Sequence, residues 1–234
     1  MKTNILKYSL LIIMSAIGVT SCVTEDDYVT PTYNDKVIIT RNSPFVEDFQ
    51  AASYGSGANE VAVNLPWWIN TNLTSSAEKL WHVRRIANPH NRWAEFSSFY
   101  SQSGEEYNDE AWLITPSIVL GSSNYFLSFD YQIRFYNYDN LAVYISRDFD
   151  SVVIESDDEN YIPTNEERIE EATWEQINVN FPSGQTNDQF VPSGNINLSE
   201  YNNSTVRIAF KYVGSKAANQ TTTYQIDNIT IFEN

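Results

Sequence analysis

The most regular feature of the chain is an alternation of apolar and polar residues over residues 125–136. A period of two residues is typical of a strand with one face in the core, so this segment predicts a long β-strand. Residues 141–149 alternate again after polar turn residues at 137–140, and the two segments are expected to form a hairpin. The apolar positions are Leu127, Phe129, Tyr131, Ile133 and Phe135, followed by Leu141, Val143 and Ile145.

Two further alternating segments lie near the C-terminus, at residues 205–214 and 222–232. The second loses its alternation at Asp227 and Asn228, which predicts a β-bulge there. No helical stripe is longer than about two turns; residues 165–173 are the best helical candidate and fit an acidic loop equally well. Many strands with aromatic-rich faces and polar loops predict an all-β fold, a single jelly-roll β-sandwich.

The first 21 residues differ from the rest of the chain. A basic start with Lys2 and Lys7 precedes an apolar run at residues 9–19 and then small residues, which is the layout of a secretory signal peptide. The apolar run is shorter than the roughly 20 residues that a membrane-spanning helix needs. We therefore expect a signal peptide at residues 1–21, a flexible tether at 22–43 and the β-sandwich at 44–234.

The residues around the single cysteine, Cys22, resemble the lipobox of bacterial lipoproteins. The resemblance rests on the stretch VTSC and implies that the Cys22 thiol carries a diacylglycerol anchor, which leaves no thiol for a disulfide or for catalysis. The acidic residues that follow, VTEDD, resemble the surface-sorting tag of Bacteroidetes lipoproteins. Together the two resemblances imply a lipid-anchored outer-membrane protein that faces the cell exterior.

The chain is strongly acidic, with 30 acidic and 14 basic residues and a net charge of −16. Cleavage before Cys22 removes Lys2 and Lys7 and moves the charge to about −18. Such a charge repels phosphate backbones and anionic lipid headgroups, so nucleic acid is excluded as a partner.

Four segments resemble the choice-of-anchor J family and the related cleaved-adhesin domains. They are VEDF at 46–49, DEAWLITPSIVL at 109–120, the segment that ends VYISRDF with TWEQI after it, and residues 192–232 up to YQIDNITIF. The resemblance implies a galactose-binding-like jelly roll. It also implies a non-catalytic surface module that binds carbohydrate, host protein or a cell surface.

Asp227 interrupts an apolar strand, where an aspartate is costly unless it is paired or coordinated. In jelly rolls the first and last strands often lie side by side, which brings Glu47 or Asp48 towards Asp227. Carboxylate oxygens suit Ca²⁺, and the resemblance to adhesin domains adds to the expectation of a structural calcium ion at these three residues. The alternative is that Asp227 bonds backbone at the bulge.

Aromatic residues are the candidates for ligand recognition, because flat rings pack on sugar faces. Trp67 and Trp68 are adjacent, and in an extended stretch one faces the core and the other the solvent. Tyr136 and Tyr138 lie in the predicted hairpin turn. For Trp81, Trp93 and Trp112 the core is the favoured location.

Catalytic motifs are lacking: there is no glycine-rich phosphate loop, no HExxH and no G-x-S-x-G. We therefore expect a non-catalytic binding module for carbohydrate or a host surface. Two alternatives stay open, a glycan hydrolase that uses paired carboxylates and a structural adhesin or assembly component with a protein partner.

Overall fold

The computed structural model describes residues 36–55, 60–74, 79–87, 90–101, 108–158 and 160–234. The predicted signal peptide, Cys22 and most of the predicted tether lie outside these residues. In the described part of the chain the strands form two seven-stranded sheets packed as a sandwich, and the all-β sandwich predicted from the sequence is confirmed. No helix of these residues is long and apolar enough to cross a membrane.

Sheet 1 is built around its longest strand, β13. One edge of β13 pairs with β9, and the other pairs with β6 and then β7, which continues the path of β6. The strands of sheet 1 are β1 (Val37–Ile38), β3 (Ile69–Asn72), β6 (Asn108–Ile114), β7 (Ile118–Val119), β9 (Leu141–Ser146), β10 (Glu175–Ile177) and β13 (Thr205–Ser215).

Sheet 2 is built around β14 in the same way. One edge of β14 pairs with β8, and the other pairs with β5 and then β2, so these two strands meet end to end beside β14. The strands of sheet 2 are β2 (Phe45–Glu47), β4 (His82–Ala87), β5 (His90–Phe96), β8 (Tyr125–Arg134), β11 (Val191–Pro192), β12 (Ile196–Asn197) and β14 (Thr223–Glu233).

The core lies between the sheets and is filled by the apolar residues that alternate along β8, β9, β13 and β14, as predicted. Phe135 is the exception: it follows the end of β8 with a φ of 52° and is 68% exposed, so its predicted place on the inward face is wrong. Phe129 of β8 and Phe210 of β13 meet edge to face across the core, with ring centroids 5.1 Å apart. The outer face of sheet 1 is covered by a smaller apolar cluster in which α1 (Asn165–Glu171) places Ile169 against Trp112. A capping box between Thr164 and Glu167 starts this helix, which settles the helix-or-loop alternative.

The predicted hairpin of residues 125–136 and 141–149 is wrong. The first segment is β8 of sheet 2 and the second is β9 of sheet 1, so the chain crosses the sandwich between them. Asn137 explains the crossing, because its backbone N–H donates to Thr222 Oγ1 at 3.0 Å and its side chain bonds Thr221. The connection is therefore tied to the chain before β14 and not closed as a tight turn.

The bulge predicted near Asp227 and Asn228 is present, as a register shift in the pairing of β14 with β8. The pairing of β2 with β14 also brings the first strand of sheet 2 beside the last one. The start of the sandwich differs from the expected residue 44: Val37 and Ile38 pair with β7, and Ile39 is buried in the core. Residues 37–39 thus belong to the sandwich and not to the tether.

Candidate functional site

The outer face of sheet 2 carries polar side chains in cross-strand register. On each strand every second side chain enters the apolar core, so the polar side chains between them point outward. We name this set the polar face. One row contains Gln132, Gln225, Glu95 and His82, and beside it lie two separate cross-strand pairs, Asp130 with Asp227 and Trp93 with Arg84. Several of these residues are buried although they lie outside the apolar core, which is unusual for unpaired polar groups.

Glu95 is the centre of a charged network on the polar face. His82 Nε2 lies 3.3 Å and Arg84 Nε 3.0 Å from Glu95 Oε1, and Gln225 Nε2 donates to Glu95 Oε2 at 2.5 Å. Burial by itself raises the pKa of Glu95, but the hydrogen bonds from His82 and Gln225, the charge of His82 and the bond from Arg84 outweigh it and lower the pKa to about 2. Glu95 is therefore a fixed negative charge.

Three side-chain atoms of the polar face are buried and have no hydrogen-bond partner among the described residues: Trp93 Nε1, His82 Nδ1 and Gln225 Oε1. Buried polar groups are normally satisfied, because each one left unpaired costs about 1–3 kcal/mol. Three such atoms on neighbouring strands of one face are a donor and acceptor set suited to a polar ligand.

The loop at residues 187–190 lies against the polar face. Phe190 packs edge to face on Trp93, with ring centroids 5.6 Å apart, and Asp188 accepts from Arg134 Nε at 2.6 Å. Asn187 and Asp188 adopt left-handed φ values of 52° and 56°, a conformation that asparagine and aspartate tolerate better than most residues. Trp93 is consequently half-buried beside a second ring, and not in the core as the sequence favoured.

The bulge end of the polar face is acidic. Asp227 lies opposite Asp130, and its oxygens accept from Asn91 Nδ2 at 2.8 Å and from the Asn228 N–H at 2.8 Å. Burial is the main cause that raises the pKa of Asp227; the two hydrogen bonds oppose it, Asp130 and Asp48 add to it, and the pKa is about 6.

Glu47 and Asp48, the other predicted calcium ligands, lie next to this bulge. Glu47 Oε1 accepts from the Phe49 N–H at 2.7 Å and Asp48 Oδ1 accepts from the Gln50 N–H at 3.0 Å. Burial raises the pKa of Glu47 despite the bond from Phe49, and Asp48 and Asp227 raise it further. Across the described ranges no group of three or more His, Cys, Asp or Glu side chains is arranged to hold a metal ion. Calcium at this place therefore stays a prediction.

Trp67 and Trp68 differ in exposure, but the stretch is not extended as the sequence prediction assumed, because Trp67 lies in a turn. Trp68 packs against Phe45 and Phe49, with centroid distances of 6.2 and 6.0 Å, whereas Trp67 is 44% exposed. Trp67 has a φ of 64°, which is a strained conformation for a bulky residue. Its backbone oxygen accepts from Arg207 Nη1 at 3.3 Å, which places Trp67 beside sheet 1.

Tyr136 and Tyr138 follow β8 in the crossing segment. Tyr136 is half-buried against the core and its hydroxyl donates to Asp139 at 3.0 Å; Tyr138 is exposed. Hydrogen bonding to Asp139 raises the pKa of the Tyr136 hydroxyl. The two tyrosines lie at the Tyr212 end of β13, and Trp67 lies at the Arg207 end. The four predicted aromatic residues thus do not form one site.

Two cavities accompany these groups. A cavity of about 290 Å³ lies at the β4–β5 end of sheet 2. A larger groove of about 460 Å³ lies between β10 and β12 and is rich in amide side chains, contributed by Gln176, Asn178, Asn180, Asn195 and Asn197. We name the second one the amide groove.

The sequence did not single out Glu95, Gln132, Gln225, Asp130 or Phe190. Gln132 and Asp130 were visible as the polar parity of β8, and His82, Arg84 and Trp93 as one cluster of mixed chemistry. Nothing local indicates that Gln225 lies beside Glu95, because 129 residues separate them along the chain.

A family model described as a domain of unknown function, DUF5017, matches residues 91–233. This is more than half of the chain, so the chain belongs to that family. No curated protein shows significant similarity to it.

Among solved structures, the chain is similar to the K1 cleaved adhesin domain of Lys-gingipain from Porphyromonas gingivalis, with 14% identity, 82% of this chain and 99% of that chain covered, and a TM-score of 0.46. A putative sugar binding protein from Bacteroides thetaiotaomicron is 10% identical, with 76% and 96% coverage and a TM-score of 0.43. The CBM22-1 xylan-binding domain from Paenibacillus barcinonensis is 11% identical, with 82% and 94% coverage and a TM-score of 0.41.

Proposed function

We propose that the chain is a non-catalytic, lipid-anchored module of the cell surface that binds carbohydrate through the polar face. The single observation that supports this most is the group of buried atoms on Trp93, His82 and Gln225 that find no hydrogen-bond partner in the described part of the chain. A sugar offers hydroxyl groups that both donate and accept hydrogen bonds, so one ligand type serves the Trp93 donor and the Gln225 acceptor.

The aromatic and planar groups of the polar face support the same ligand class. Trp93 and Phe190 supply rings for the apolar face of a sugar, and Arg84 and Glu95 supply planar groups for its hydroxyls. Pairing within the network holds Glu95 and Arg84 in place before a ligand arrives, which lowers the entropy cost of binding.

The test is a glycan array with the full chain in detergent, followed by calorimetry and product analysis on each glycan that binds. Binding that is lost in Trp93→Ala and kept in Asn180→Ala, a variant of the amide groove, supports the proposal. Loss in Asn180→Ala alone assigns binding to the amide groove and refutes the role of the polar face.

The second candidate is a glycan hydrolase, and one observation favours it. Asp130 and Asp227 face each other, and Asp227 has a pKa of about 6, which suits a general acid. If the protein releases product from a bound glycan, and both Asp130→Asn and Asp227→Asn abolish that release, the protein is a hydrolase and not a non-catalytic module. Binding without product release supports the module.

The membrane anchor is a separate part of the proposal and is supported by the sequence around Cys22. Cells fed an alkyne-labelled fatty acid should label the chain, and Cys22→Ser should abolish the label. Protease treatment of intact cells should remove the sandwich if it faces the exterior. If the labelled protein resists the protease in intact cells and is cleaved only after lysis, the sandwich does not face the cell exterior.

A further inference from the structure

The cavity at the β4–β5 end of sheet 2 contains two arginines in direct cross-strand register. Arg85 of β4 is paired with Arg92 of β5, and both side chains line the cavity with Gln50, Ile86 and Asn91. Like charges directly opposite each other destabilise a sheet, so this pair needs compensation.

Tyr54 offsets part of the repulsion between the two arginines. The guanidinium carbons of Arg85 and Arg92 lie 4.2 and 4.7 Å from the centroid of the Tyr54 ring, within the range of a cation–π interaction. Arg92 Nη1 also donates to the backbone oxygens of Gln50 and Ala52, the latter at 2.8 Å. The two cations are therefore held on one ring by neutral groups.

No carboxylate of the described residues neutralises the charge of either arginine. Neither Arg85 nor Arg92 forms an ion pair with any of them, whereas Arg84 and Arg207 do. This is notable in a chain with 30 acidic residues and 14 basic ones, where an acid near each base is the expected arrangement. An adjacent pair of guanidinium groups without a carboxylate is a site for a planar oxyanion, because each presents a fork of N–H donors.

We infer that this cavity binds the carboxylate of an acidic sugar residue in the ligand of the polar face. The inference rests on the proposed carbohydrate-binding function. Asn91 connects the two places: it lines the cavity, accepts from Gln50 Nε2 at 2.9 Å and donates to Asp227 Oδ2 at 2.8 Å. Trp93 lies two residues from Asn91 on the same side of β5, about 7 Å away. Arg85 and Arg92 project from the opposite side of the β4–β5 pair, and residues of both sides line the cavity at the end of that pair. A glycan on Trp93 therefore reaches the arginines by extending past Asn91 at this end of the sheet.

The net charge of the protein further limits which acidic ligands can bind in the cavity. A net charge of −16 repels polyanions at long range, whereas the two arginines act over a few ångströms. At physiological salt, screening over about 8 Å leaves the short-range attraction and weakens the repulsion of distant charges. The cavity thus fits an isolated acidic residue in an otherwise neutral glycan, and not a continuously charged polymer.

The test uses the full chain in detergent and two forms of one probe: an oligosaccharide that ends in glucuronic acid, and the same oligosaccharide with its carboxyl group reduced to an alcohol. Calorimetry should show the acidic form binding about tenfold more tightly, which corresponds to about 1.4 kcal/mol. Arg85→Gln should remove this preference. Arg41→Gln, which makes the same charge change at an exposed residue before β2, should keep it.

Equal affinities for the two forms, or equal effects of Arg85→Gln and Arg41→Gln, would overturn the inference. The proposed function stands in that case if the reduced form binds and Trp93→Ala abolishes its binding. If neither form binds and no glycan on the array does, the proposed function fails as well. Competition by sodium acetate as strong as that by sodium glucuronate would make the cavity a site for small anions and overturn the sugar assignment.

Discussion

Asp227 of β14 lies directly opposite Asp130 of β8 at the β-bulge of sheet 2. Asp227 is almost fully buried, and its two carboxylate oxygens already accept hydrogen bonds from Asn91 and Asn228. Those bonds favour the charged form, yet burial and the charges of Asp130 and Asp48 prevail and raise the pKa to about 6. The pair is thus a source of pH-dependent stability.

Replacement of Asp130 by Asn is expected to stabilise the protein at neutral pH. The pKa of Asp227 is higher in the folded than in the unfolded state, so its contribution to stability is complete below about pH 3.8 and is lost as pH rises through 6. Removal of the opposing charge should restore roughly 1 kcal/mol at pH 7.5 and little at pH 4.5. Denaturant unfolding of wild type, Asp130→Asn and the exposed-loop control Asp157→Asn measures this; equal gains in both variants would contradict it.

Calcium bound by Glu47, Asp48 and Asp227 would relieve the same repulsion. The sequence-based prediction is that EDTA lowers the melting temperature at pH 7.5 and that added Ca²⁺ restores it. Asp227→Asn should make the melting curve insensitive to both reagents. A wild-type curve that is identical with EDTA and with Ca²⁺ would rule out a structural ion.

Glu95→Gln is expected to destabilise the protein by roughly 2 kcal/mol at pH 7, because it removes the more buried of the two carboxylates that pair with Arg84 and leaves only Glu60, at 3.4 Å. The pKa of Glu95 is lowered in the folded state, so its stabilisation is present above pH 4.5 and lost as pH falls towards 2. The difference between wild type and variant should therefore shrink below pH 4.5. Glu170→Gln on the exposed side of α1 is the control, and a loss that is independent of pH would refute the role of the Glu95 charge.

Trp93→Phe separates a ligand-binding role from a structural one. The variant keeps a ring and removes the Nε1–H, which has no partner within the described ranges, so stability should stay the same or rise slightly while glycan affinity falls about fivefold. Trp174→Phe is the matched control, because Trp174 Nε1 donates to the Ile169 oxygen at 3.1 Å and its loss should lower stability. Equal loss of stability in the two variants would show that Trp93 is structural.

Trp67→Gly should stabilise the protein by about 1 kcal/mol, because glycine adopts the observed φ of 64° without strain. Strain at an exposed tryptophan points to a functional reason for keeping it, so the variant should also lose affinity if Trp67 contacts the ligand as predicted from the sequence. Trp68→Ala, which removes a ring packed on Phe45 and Phe49, should instead destabilise the fold. Unchanged glycan affinity in Trp67→Gly would remove Trp67 from the binding site.

The sequence by itself determined the four strands with clear alternation, β8, β9, β13 and β14, and most of their inward faces. Leu127 to Ile133 alternate because a strand turns successive side chains to opposite sides, and this property is local. The bulge at Asp227 was predictable for the same reason, since one extra residue moves Ile229 and Ile231 to the other parity.

Only the tertiary structure decided which strands are neighbours, and the candidate sites depend on that. Pairing of β8 with β14, and not with β9, places Asp130 opposite Asp227 and Gln132 beside Gln225. Pairing of β14 with β5 then adds Glu95 to the same row. Strand pairing is settled by packing of whole sheets over a shared core, and residues about a hundred positions apart carry no local signal of it. Trp93 was therefore recognisable only as an aromatic residue near basic ones, and its place beside Phe190 on the polar face followed from the fold.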